Sequence, residues 1–180
     1  MSTQKTVNQE FGTVHESEAL RLDGEKAEQI IDALNADLAD AYVLYHQLKK
    51  HHWNVEGAEF RDLHLFLGDA AGNVEEAADE LAERAQALGG TPVSGMDNLQ
   101  EFATVEPEGE DVYDIRTSLE SDLETYGDVI QTVRDRLESD RVLLFCVHCK
   151  DWTRKQEVGR IREPIKCPNC GSTRVAALNP

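Results

Sequence analysis

The chain is short of positive charge. Its 180 residues hold 18 Lys plus Arg against 35 Asp plus Glu, a formal net charge of -17. Such a balance repels nucleic-acid backbones and favours solubility or tolerance of high salt. Long hydrophobic runs are also missing. The longest span a few residues, so no membrane crossing is expected. The N-terminus "MSTQKTVNQEFG" lacks the apolar stretch of a secretion signal, so a cytoplasmic protein is expected. Cysteine is absent from the first 145 residues, and all four lie in the last forty.

Those last forty residues differ in charge as well. Residues 141 to 180 carry eight basic and three acidic side chains, a net +5, which leaves -22 on the other 140. Two physically different sequences meet near residue 140. The length suits one ordinary domain, or one modest domain with a small appendage.

Residues 1 to 22 are polar, with isolated Phe11, Val14 and Leu20, and read as a flexible tail. From Asp23, a plausible N-cap, apolar residues recur every three or four positions through Leu34, Leu38, Tyr45, Leu48 and His52. The spacing predicts a helix about 40 Å long. "VEGAE" turns the chain. A second helix is predicted from about Glu59 to Leu88, stopped by "GGTP", because Gly89 can take positive φ and Pro92 cannot continue a helix. "MDNLQEFA" reads as a short helix in a long connection, and a third long helix covers about 111 to 139. Helices of this length belong to a bundle. A bundle normally closes with four long helices, so the expected fold is mainly α, a helical bundle with its fourth helix missing. The expected division is a tail over 1 to 22, a helical domain over 23 to 140 and a cysteine module over 141 to 180.

"HHWNVEGAEFRDLH", residues 51 to 64, holds three of the six histidines. His52 falls on the buried stripe of the first helix, and His64 lies close to that of the second. Asp79 and Glu83, four residues apart, share one face of the second helix and can reach one ion. Imidazole with carboxylates suits Fe(II), Mn or Zn. The bland alternative is a hydrogen-bonded core histidine beside a solvated acidic face. Asp79 lies about 22 Å along the helix from His64. The two can cooperate only if two subunits meet antiparallel, each giving histidines to one site and carboxylates to the other.

"YHQLKKHHWNVEGAEFRDLH" followed by "ADELAERAQALGG" resembles the Dps-like branch of the ferritin superfamily over about residues 24 to 139, especially the acidic proteins of salt-loving archaea. The resemblance implies a ferritin-like bundle, a homo-oligomer that is dodecameric if the family assembly survives, and an Fe(II)-oxidising, iron-storing protein that uses peroxide or oxygen. It implies a ferroxidase centre between two subunits, with His52 and His64 from one and Asp79 and Glu83 from its partner. Trp53 matches the aromatic residue beside that centre. Many relatives carry an Asp where this chain has Gly68, and Glu56 is a candidate substitute. Family members that bind DNA usually use a Lys-rich tail. Here only Lys5 precedes Arg21, so DNA binding by the acidic part is not expected.

Cys146, Cys149, Cys167 and Cys170 form two C-x-x-C pairs, a spacing that can surround one Zn(II) tetrahedrally. The alternatives are disulfides, which a cytoplasmic setting disfavours, or a redox pair. "KCPNCGSTRVAAL" resembles the zinc ribbon of archaeal superfamily 2 helicases. A small β zinc ribbon is therefore expected after the helices. The competing possibilities for the whole chain are a nucleic-acid or protein-binding adaptor and a nonfunctional fusion product.

Overall fold

The computed structural model describes residues 6–16, 20–138, 143–146, 151–154 and 175–178. Four helices occur among them: α1 (Gly24–Asn54), α2 (Phe60–Ala87), α3 (Met96–Phe102) and α4 (Ile115–Glu138). This corrects the expectation of a bundle whose fourth helix is missing. The short α3 and the long α4 both pack on α1, so α1 is central. The fold is mainly α. Among the described residues no helix is long and apolar enough to cross a membrane.

Local chemistry explains the boundaries. Asp23 accepts a hydrogen bond from the Glu25 N–H at 3.1 Å, satisfying one of the donors a helix start leaves open. At the far end of α1, the Val55 N–H still reaches the His51 carbonyl, and Gly57 at φ +108° reverses the chain. α2 ends in a Schellman motif: Gly90 N–H donates to Ala85 and Gly89 N–H to Gln86, with Gly89 at φ +89°. A Cβ on Gly90 would come within 2.6 Å of the Ile31 side chain, so glycine here also lets the turn close onto α1.

The core lies chiefly between α1 and α2. Ile30, Leu38 and Leu48 of α1 are fully buried, as is Leu67 of α2. Ala71, Ala78 and Ala85 keep the facing stripe of α2 low, which permits close approach. The N-terminal segment lies on the α2 turn. His15 N–H and the Gln9 side chain both donate to the Gly89 carbonyl, and Phe11 meets Phe102 edge to face.

Three short strands follow: β1 (Leu143–Cys146), β2 (Asp151–Arg154) and β3 (Val175–Leu178). β1 is central and antiparallel to both neighbours, with Cys146 opposite Asp151 and Val175. Cys149, Cys167 and Cys170 lie outside the described residues. The zinc-ribbon expectation gains no support here: no group of three or more His, Cys, Asp or Glu able to hold a metal occurs among the described residues, and three of the four cysteines lie outside them. Paired C-x-x-C spacing is only a necessary condition; a ribbon also needs four sulfurs converging on one ion.

Candidate functional site

His52 stands in the last turn of α1 and His64 in the second turn of α2, either side of the Val55–Glu59 turn. Their rings stack with centroids 3.7 Å apart and planes 22° apart. His52 Nδ1 donates to the His64 carbonyl at 2.7 Å, and His64 Nδ1 donates to the His52 carbonyl at 2.9 Å. A carbonyl can only accept, so both rings carry their proton on Nδ1. In each neutral ring this leaves Nε2 with a free lone pair, the atom that binds metal. The exchange also solves a backbone problem. The His52 carbonyl belongs to the last turn of α1, where intrahelical donors run out, and His64 supplies the missing one. Phe60 stacks on the outer side of His64 with centroids 5.1 Å apart.

The surroundings are unusually apolar for a surface. Trp53, Phe60, Leu65 and Phe66 are 66%, 46%, 53% and 60% exposed, which is a liability unless another molecule covers them. Trp53 carries the Lys49 ammonium 5.8 Å above its ring. Asp79 and Glu83 are exposed on α2, some four and five turns beyond His64. The structure therefore pairs His52 with His64 and leaves both carboxylates apart from them within one chain. Glu56 is exposed beside Lys50 and His51, in the lining of a cavity of about 50 Å³.

A second constellation carries no motif in the sequence. His51 is buried, with Nδ1 2.8 Å from Asp122 Oδ1 on α4 and Nε2 2.9 Å from Glu108 Oε2 in the α3–α4 connection. Glu108 also takes Lys50 Nζ at 2.5 Å and the Ser121 hydroxyl at 2.7 Å. Gln47 donates to Ser121 and Asp122 and accepts from Thr125. Burial pulls the His51 pKa down, but the carboxylates on its two nitrogens outweigh this and hold it above the ordinary histidine value. Burial likewise pushes Glu108 up, and its bonds to Lys50, Ser121 and His51 prevail to hold it below the usual range. The signal that could have found this group is the polar stripe Gln47–His51, facing Ser118, Asp122 and Thr125 at helical spacing.

A ferritin-like domain model matches residues 31–139. The "DNA protection during starvation protein" of Halobacterium salinarum is 64% identical over 138 residues, 77% of this chain and 76% of that protein. A "Nutrient stress-induced DNA-binding protein" of Nostoc is 36% identical over 134 residues, 74% and 72% of the two chains. Among solved structures, the archaeal Dps homologue from Halobacterium salinarum aligns with TM-score 0.69 at 64% identity, covering 76% of each chain. DpsC from Streptomyces coelicolor aligns with TM-score 0.68 at 34% identity, covering 72% of this chain and 75% of its own.

These likenesses correct two expectations. They are to Dps-like proteins, and the resemblance to a helicase zinc ribbon finds no support beside them. The DNA-related names of these relatives also correct the expectation, drawn from acidity and a lysine-poor tail, that the acidic part does not bind DNA. Net charge is a sum over the chain, whereas phosphate contacts need only a local cluster of positive groups.

Proposed function

Since this chain belongs to the ferritin-like family, in its Dps-like branch, we propose that it oxidises Fe(II) at a site shared between two copies. It would store the ferric product and so limit oxidative damage in the cytoplasm. The observation that carries this reading is the His52–His64 pair, whose Nδ1 atoms are committed to carbonyls and whose Nε2 atoms are available. Aromatic and aliphatic groups around the pair supply a surface for the second copy to cover.

In this reading the imidazoles of one copy and Asp79 and Glu83 of the other hold the iron substrate. Two Fe(II) give one electron each to hydrogen peroxide; the O–O bond breaks, and two protons complete two waters. The carboxylates favour the ferric product because they offset its extra charge. Burial under the partner excludes bulk water and strengthens those interactions. The homo-oligomer is a dimer at least, and a dodecamer if a full shell forms. The division into 1–22, 23–140 and 141–180 belongs to the same proposal.

Stopped-flow mixing of the purified protein with Fe(II) and peroxide tests the reading. Ferric absorbance should grow faster than in protein-free buffer, and equal rates would end the ferroxidase claim. DNA association is the second reading, favoured by the relatives' names and by the net +5 of residues 141 to 180. Its mark would be affinity for duplex DNA that falls steeply with salt.

A further inference from the structure

We propose that His51 is a positioning residue for the neighbouring imidazole of His52, a role that rests on the reading of His52 and His64 as iron ligands. α1 ends at Asn54, so His52 stands in a last turn whose carbonyls run out of intrahelical donors. Such turns fray, and a metal ligand on a fraying turn is poorly preorganised. The two bonds that His52 shares with His64 both hold the turn from α2. Held from one side alone, the turn can still pivot about that attachment.

Consecutive residues of a helix point about 100° apart round its axis. His51 therefore grips different neighbours. Its Nδ1 lies 2.8 Å from Asp122 Oδ1 on α4, and its Nε2 lies 2.9 Å from Glu108 Oε2 in the connection before α4. Lys50, the residue before it, reaches the same connection: its Nζ meets Glu108 and the Gly109 carbonyl and lies 5.0 Å from the Tyr113 ring. Both anchors of His51 are themselves held. Gln47 donates to Asp122 Oδ1 at 3.2 Å, and the Ser121 hydroxyl donates to Glu108 at 2.7 Å. With α2 gripped through His52 and α4 through His51, the rotation of the turn is fixed as well as its place. That rotation sets where His52 Nε2 points.

Co(II) is the probe, because its visible absorption reports nitrogen ligation in the full chain without any turnover. His52→Ala identifies the part of the signal that belongs to the histidine pair. Asp122→Ala removes the anchor on α4 and should weaken that binding about 10-fold, the lower end of the range for groups that orient a ligating imidazole from outside. Glu108→Ala releases the other ring nitrogen and should weaken it likewise. Asp122→Asn should recover most of the loss. Its amide oxygen still accepts from His51, and Asp122 Oδ2, where the amide nitrogen would stand, has no partner to lose among the described residues.

Gly90→Ala separates positioning from general loss of stability. Its Cβ would press on Ile31, toward the other end of α1. At a temperature where every variant is folded it should titrate Co(II) like the parent. Parent-like affinity in folded Asp122→Ala or Glu108→Ala would overturn the proposal, as would an equal loss in Gly90→Ala. Asp122→Asn binding as weakly as Asp122→Ala would overturn it too. A parent spectrum that His52→Ala leaves unchanged would sink the reading of His52 as a ligand, and this role with it. Co(II) held through His52 with no Fe(II) oxidation would sink the ferroxidase reading alone and leave the positioning role standing.

Discussion

Arg136 on α4 grips Asp37 on α1 through an ion pair, and its other nitrogen reaches Asp40 at 3.2 Å and the Thr104 hydroxyl at 3.1 Å. Asp40 in turn accepts from the Thr104 and Val105 N–H groups, so helix, connection and helix meet at one knot. Burial pushes the Asp37 pKa up to about 6, against the pull of Arg136 and with help from Asp40. A carboxyl raised above its unfolded value favours the fold while protonated. That contribution is complete below the unfolded pKa, near 3.8, and is lost as pH rises to about 6. Urea unfolding should therefore show the parent losing stability relative to Asp37→Asn between pH 4.5 and 7.5. The change across this window should be up to about 2 kcal/mol at roughly 1.4 kcal/mol per pKa unit, because part of the effect is already lost at pH 4.5. A difference independent of pH would contradict it.

His52→Ala and Glu83→Ala should each slow iron oxidation by about two orders of magnitude, as expected when a catalytic electrostatic contact is removed. Mixing the two variants should restore activity, because a mixed dimer carries one doubly damaged site and one intact site. Stopped-flow rates on verified mixed dimers decide the matter. Activity in the parent without recovery in the mixture would place the whole site within one subunit.

Removing His51 leaves Glu108 and Asp122 without their shared proton donor in a buried setting. His51→Ala should cost about 3 to 5 kcal/mol, the usual result of breaking a buried pair from one side. His46, exposed on the same helix, should cost within about 0.5 kcal/mol when truncated to Ala. Chemical denaturation of both variants makes the comparison.

Gly90→Ala should cost about 1 to 3 kcal/mol, since its Cβ would press on Ile31 in a closely packed corner. Ile31→Val in the same molecule should return part of that loss. Additive costs in the double variant would show that the contact is not the cause.

The long helices are legible in the sequence because their signals are local. Apolar residues at helical spacing, a capping Asp23 and a glycine pair at 89 and 90 each act within a few residues, and the structure follows them. The pairing of His52 with His64 is legible as proximity but not as chemistry. That two imidazoles trade hydrogen bonds with each other's backbone depends on how α1 and α2 are phased at the turn. His51 is hidden for a related reason. On a helical wheel Gln47 and His51 count as polar and outward, and only the arrival of α4 and the 103–114 connection turns that face inward. The missing-helix and zinc-ribbon expectations go astray because they rest on absence and on spacing, neither of which shows what covers a helix face or what the C-terminal residues form.

The crossed hydrogen bonds of His52 and His64 also stitch the end of α1 to the start of α2. Ligand occupancy and the firmness of this hinge are therefore thermodynamically linked quantities. Whatever binds the two open Nε2 atoms in the folded chain stabilises it by mass action. The gain is concentrated where the stitching is, so amide hydrogens around Val55 and Leu63 should exchange more slowly as metal is added. Those at the Gly89 turn, at the opposite end of a helix about 42 Å long, should keep their pace.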